Sequence, residues 1–148
     1  MNLALKTAAI ADAGLLIGMM RDFYAHEGLV FEEAAARRAL EGIINDSSFG
    51  RVVLICNEDD VIGYAVLTFG YSLEFHGRDA FVDEVYLREQ FRGQGIGQRV
   101  LAYLSEVCAE NGVKALHLEV ERNNTHAQSA YRKFGFEDHD RYLMTKWI

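Results

Sequence analysis

The 148-residue sequence predicts a single α/β domain built on a mixed sheet. Three observations lead there. Two runs rich in β-branched and aromatic residues, 51–56 and 61–69, flank a short polar turn at 57–60 and read as an antiparallel hairpin. From residue 80 to residue 121 a strand, a glycine-rich loop, an amphipathic helix and another strand succeed one another. Such a β–α–β passage places at least one parallel pair in the sheet. Finally, half of the chain is apolar and a quarter is charged, the balance of an ordinary globular chain able to bury one core.

Each element has its own signal. Residues 3–7 form a short strand. Over 12–27, Leu15, Leu16, Met19, Met20, Phe23 and Tyr24 recur at helical spacing, and Gly28 ends the helix. A second helix covers 31–45, with Ala34, Ala35, Ala39, Ile43 and Ile44 inward. The hairpin comes next, then a strand over 80–87. Residues 95–111 form a strongly amphipathic helix whose Val100, Leu101, Leu104, Val107 and Cys108 share one face. Asn111 and Gly112 stop it. Residues 115–121 alternate, with Leu116, Leu118 and Val120 opposite His117, Glu119 and Glu121. Thr125 and Gln128 fit a capping box that opens a short helix, Gly135 closes it, and 142–148 make a last strand. The predicted order is β α α β β β α β α β. The chain has no proline, so glycine and Asn/Asp/Ser clusters supply the punctuation.

Bulk properties narrow the partners. A net charge of −7 disfavours nucleic acid, whose binding needs Lys and Arg on phosphates, and suits a cationic small molecule. No apolar run approaches the ~20 residues that span a bilayer, and the N-terminal MNLALKT lacks the basic flank and apolar block of a signal peptide. A cytoplasmic protein with no membrane partner is expected. Cys56 and Cys108 lie far apart in apolar contexts and read as buried free thiols. His26, His117, His126 and His139 show no metal-ligand spacing, so no metal is expected.

The loop Arg92-Gly93-Gln94-Gly95-Ile96-Gly97 joins a strand to a helix. Bare backbone amides, a helix N-terminus carrying about half a positive charge, and a guanidinium make a recipe for an anion site. No Lys-Ser/Thr comes after these glycines, so this is no P-loop. They read GxGxG late in the chain rather than GxGxxG after the first strand, which argues against a dinucleotide fold.

What remains is Arg-x-x-Gly-x-Gly after Val85-Tyr86-Leu87. It resembles the acetyl-CoA motif of the GNAT superfamily of N-acetyltransferases. Downstream, Asn124, then Tyr131 seven residues later, then Gly135-Phe136, resembles the second signature of that family, in family order and spacing. The resemblance covers essentially the whole chain and is most specific from 80 to 136. It implies a mostly antiparallel central sheet with helices on both faces and a central β-loop-α site for acetyl-CoA, the acetyl donor. One departure stands out: many relatives carry proline at the position of Glu89.

The resemblance also implies roles. Arg92, Gly93, Gln94, Gly95, Ile96, Gly97 and Gln98 would hold the pyrophosphate, and glycine suits a loop where a Cβ would push phosphate off the amides. Val85, Tyr86 and Leu87 would pair their backbone with the pantetheine arm, one amide facing the thioester oxygen. Asn124 would orient CoA, and Tyr131 would donate a proton to the departing sulfur. Tyr131 also fits a core aromatic, because Ala127 and Phe134 share its helical face. An aliphatic amine, with a pKa near ~10, must lose a proton before it attacks. Glu84 is the expected base, working through water, with Asp83 the alternative; strand alternation sends the two to opposite faces.

Within the superfamily, residues 81–87 and the Tyr131 helix look most like the diamine and polyamine acetyltransferases of the spermidine/spermine type. That likeness implies a small cationic primary amine as acceptor: polyamine, diamine, lysine-like or aminoglycoside. Tyr24, Glu27, Glu74, Phe75, His76 and Asp83 would line its pocket, and a homodimer is expected. The alternatives are acetylation of a protein N-terminus or lysine, a non-catalytic CoA-binding module, and an NAD-binding domain.

Overall fold

The structure is a computed structural model describing residues 1–148. It divides into two units, Met1–Leu118 and Glu119–Ile148. The first contains strands β1 (Leu3–Thr7), β2 (Gly50–Asn57), β3 (Asp60–Ser72), β4 (Gly77–Leu87) and β5 (Ala115–His117). Its helices are α1 (Ala13–Glu27), α2 (Glu33–Asn45) and α3 (Ile96–Glu110). The strands lie side by side in chain order. The first three pairings are antiparallel and β4–β5 is parallel, so the sheet is mixed and mostly antiparallel. No helix is long and apolar enough to cross a membrane.

Strand alternation splits the core in two. Leu54, Cys56, Tyr64, Val66 and Tyr86 point to one face, where α1 and α2 cover them with Leu16, Met19, Met20 and Leu40. Val53, Ile55, Ala65, Leu67 and Ala80 point to the other, where α3 contributes Ile96, Val100, Leu104, Val107 and Cys108. Helices therefore lie on both faces. Fully buried side chains such as Leu16 and Leu104 each contribute about 2 kcal/mol through removal from water.

Two local features shape the β3–β4 pair. A Cβ on Gly63 would lie 2.1 Å from the Tyr86 carbonyl, so glycine there lets the two strands approach closely. Farther along the same pair the register jumps: Val66 faces Glu84 while Leu67 faces Val82. Asp83 is the extra residue, a β-bulge.

Several expectations need correction. Ala34, Ala35 and Ala39 are exposed: α2 starts at Glu33 and turns the stripe Ala36, Leu40, Ile43 and Ile44 inward, which leaves those three alanines off the buried face. The last parallel strand is only three residues long: its ladder with β4 ends at the pair Phe81–His117, just before the bulge at Asp83. The strand expected over 80–87 starts earlier, at Gly77, and β3 runs on to Ser72, so only residues 73–76 connect the two.

The second unit carries α4 (Thr125–Phe134). Its cap is Asn124 rather than Thr125: the Asn124 side chain accepts from the Ala127 amide at 3.2 Å. Gln128 instead donates to the carbonyls of Glu121 and Arg122. Gly135 ends the helix in the left-handed region, as expected. Residues 142–148 form no strand. Tyr142, Leu143, Met144, Trp147 and Ile148 are all exposed, and apolar and aromatic residues without a neighbouring ladder do not make a strand.

Candidate active site

The loop before α3 is built to present amides. Gly93 and Gly95 take φ of 72° and 79°, left-handed values that favour glycine. Gly95 is the N-cap of α3 and offers no side chain to satisfy the first turn. The first amide of α3 to find a main-chain acceptor is that of Arg99, which donates to the Gly95 carbonyl. None of the amides from Gly93 to Gln98 does so.

Gly97 is the informative glycine. Its φ is ordinary, and a Cβ there would meet nothing within 4 Å. Neither backbone conformation nor packing explains its lack of a side chain. Gly14, Gly18 and Gly42 share both properties; Gly97 differs in lying among amides that have no main-chain acceptor, and the open space beside them fits the diphosphate of CoA.

Arg92 is tied back to the strand end. Its Nε donates to the Leu87 carbonyl at 2.9 Å, and its guanidinium sits 5.7 Å from the Tyr86 ring centre. Gln94 donates to the Gln90 carbonyl. Beyond Phe81, β4 pairs with β3 on one side only, which leaves the other edge of Val85, Tyr86 and Leu87 unpaired in the sheet. Such an edge can take an extended ligand as an added strand.

On the α1/α2 face a cavity of about 550 Å³ is lined by Met20, Leu40, Ile43, Phe49, Val66 and Phe69, with Tyr24, Thr68, Asp83 and Glu84. The bulge corrects the expectation that Asp83 and Glu84 face opposite ways: both line this cavity. Glu84 is half-buried. Tyr24 donates to its Oε2 at 2.6 Å and Tyr64 to its Oε1 at 2.8 Å. Burial pushes the Glu84 carboxyl above the usual range, opposed by these two donors and reinforced by the Asp83 charge. Asp83 is exposed, yet its apolar surroundings also raise its carboxyl. Burial and the Glu84 charge push both phenols well up, so Tyr24 and Tyr64 stay protonated donors.

The other predicted acceptor residues lie elsewhere. Glu27 ends α1 and does not line the cavity. Glu74, Phe75 and His76 form the β3–β4 turn; at ~3.3 Å per residue, His76 lies roughly 23 Å along the strand from Asp83. Phe75 packs on His117 instead, ring centres 4.4 Å apart. Sequence reasoning misses Tyr64, because a tyrosine inside an apolar strand carries no signal of the carboxylate it will meet. In the second unit, Asn124 spends its side-chain oxygen on the α4 cap. Tyr131 packs edge-on to Phe136, and burial raises its phenol, which keeps the proton on it at neutral pH.

The sequence matches the acetyltransferase (GNAT) family over residues 17–136. It is 27% identical over 143 residues to a thialysine N-epsilon-acetyltransferase of Mus musculus, covering 90% of this chain and 84% of that protein. It is 31% identical over 86 residues to a spermine/spermidine N(1)-acetyltransferase of Bacillus subtilis, covering 54% and 55%. Among solved structures, an integron cassette protein from the mobile metagenome of Cole Harbour Salt Marsh superposes with a TM-score of 0.85 at 33% identity, covering 97% of this chain and 90% of that one. An amide-lined loop, an unpaired strand edge and a carboxylate cavity thus occur in a chain that belongs to the acetyltransferase (GNAT) family, an N-acetyltransferase whose acetyl donor is acetyl-CoA.

Proposed function

We propose that the acceptor is the primary amine of a small, flexible cation: a polyamine, a diamine, a lysine-like molecule or an aminoglycoside. One observation carries this reading. The cavity has apolar and aromatic walls, its charged lining groups are Asp83 and Glu84, and no Lys, Arg or His lines it. Apolar walls suit methylenes, and the carboxylates suit an ammonium group. At ~4 Å and an effective dielectric of ~20, one such pair is worth about 4 kcal/mol before desolvation. The thialysine and spermine/spermidine acetyltransferases among its relatives support the same class.

Acetyl-CoA supplies an activated acetyl thioester. The loop amides from Gly93 to Gln98 bind its diphosphate, and the edge of Val85–Leu87 aligns its pantetheine arm. The carboxylate pair draws in the ammonium and takes the proton that it must lose. The amine nitrogen then bonds to the acetyl carbon as the carbon–sulfur bond breaks. Tyr131, assigned by its place in the family signature, gives its proton to the leaving sulfur, and the second proton that the nitrogen sheds on becoming an amide restores the phenol. A carboxyl raised above its ordinary range is a better acceptor at neutral pH than a fully solvated one.

A thiol-release assay with acetyl-CoA tests the reading. Spermidine, cadaverine, thialysine and an aminoglycoside are run beside peptides with free N-termini and lysines. Faster release with at least one small cation is expected. Release with the peptides alone would overturn the proposal.

A further inference from the structure

We propose that Tyr24 and Tyr64 are positioning residues for the acceptor: together they clamp Glu84 as a fixed anion that holds the ammonium group, and proton removal falls to Asp83. This rests on the proposed amine acceptor and goes further, because it separates the tasks of two neighbouring acids.

Each Glu84 oxygen receives a tyrosine hydroxyl, at 2.6 Å from Tyr24 and 2.8 Å from Tyr64. Those are short, charge-assisted bonds. The two donors come from different elements, α1 and β3, so the carboxylate plane is fixed from both sides. Tyr64 is itself fully buried. Its ring packs against Tyr86 at 5.9 Å and Phe23 at 6.4 Å, which leaves its hydroxyl little freedom. Phe23 also meets Tyr24 edge-on at 5.7 Å. A carboxylate held this way is a sound electrostatic anchor and a poor shuttle, since taking up a proton sets its new O–H against an existing donor.

Asp83 differs in each respect. It is the bulge residue and is exposed, and no tyrosine donates to it. Both acids line the same cavity. A proton released from an ammonium group near Glu84 therefore has an open acceptor one residue away.

The titratable groups around Glu84 are Tyr24 from α1, Tyr64 from β3, and Asp83 and Tyr86 from β4; α2 contributes only Ala36, Ala39, Leu40, Gly42 and Ile43 to the cavity. Removing either phenol takes away a donor that favours the ionised carboxylate. Glu84 then ionises at higher pH, and the acid limb of kcat/KM for the amine moves upward.

The test uses the full chain with acetyl-CoA and, as probes, spermidine and cadaverine. Tyr24→Phe and Tyr64→Phe are each expected to raise the amine KM about tenfold, the loss of one hydrogen bond to a charged group. The KM for acetyl-CoA and the kcat at saturating amine should stay within about twofold, and the acid limb should move up. In a Glu84→Gln background the tyrosine substitutions should add nothing further. Asp83→Asn should instead lower kcat. If Tyr64→Phe fails to fold, Tyr24→Phe, at a half-buried residue, carries the test. Unchanged amine KM and an unmoved acid limb in the Tyr→Phe variants, with both probes active on the unaltered enzyme, would overturn the clamp alone. Absence of release from the unaltered enzyme with spermidine, cadaverine, thialysine and an aminoglycoside alike would overturn the amine reading beneath it.

Discussion

Replacing Gly97 by alanine separates stability from cofactor binding. The position lies in the first turn of α3 at an ordinary φ, and a methyl group there meets nothing within 4 Å. A helical Gly→Ala change at such a site gains up to about 1 kcal/mol, because the unfolded chain loses freedom and the helix loses a weak former. In a chain of this size that corresponds to a rise in Tm of about 2–4 °C. Binding should move the other way. The methyl group stands over amides that have no acceptor in the protein, and hydrogen bonds to a charged group are worth about 1.5–3 kcal/mol each. Losing one predicts coenzyme A affinity lower by about 10- to 150-fold. Thermal melting and isothermal titration with coenzyme A read the two effects independently. Gly95→Ala is the contrast: its φ of 79° makes alanine strained by about 1–2 kcal/mol, so that variant should lose stability as well as affinity. A Gly97→Ala protein that binds coenzyme A like the unaltered chain, or that melts several degrees lower, would remove the case for an anion on these amides.

Other outcomes come from the same residues. Tyr131→Phe should slow thiol release about tenfold or more while leaving coenzyme A binding intact, measured by steady-state kinetics and titration. Asp83→Asn should lower turnover without lowering Tm at neutral pH. The folded chain holds the Asp83 proton more tightly than the unfolded one, so the ionised group opposes folding above its folded pKa. That opposition fades as pH falls, and asparagine removes it. The acid limb of kcat/KM for the amine should lie above the ~4 expected of an ordinary carboxyl, because burial raises both cavity acids; a pH–rate profile checks it.

Much of this arrangement is legible in the residues, for identifiable reasons. The α3 pattern is long and strongly periodic, so Val100, Leu101, Leu104, Val107 and Cys108 mark the inward face correctly. The glycine loop is legible because its spacing is itself the chemistry: amides need bare backbone. Tyr24 and the acid pair are legible as well. The bulge is not. A period of two places Asp83 and Glu84 on opposite faces, and one inserted residue cancels that rule without leaving a glycine or proline to announce it. The Tyr64 contact is hidden for a related reason, since it joins residues 20 apart through strand register. The terminal segment 142–148 shows the reverse error: its apolar and aromatic content expresses a preference, and a strand also needs a partner.

The most direct measurement is a ¹H–¹⁵N spectrum of the protein titrated with coenzyme A. The largest amide shifts should fall on Gly93 to Gln98, then on Val85 to Leu87, and should saturate. Shifts that spare that loop, or the same loop responding to a nicotinamide dinucleotide and not to coenzyme A, would contradict the diphosphate site.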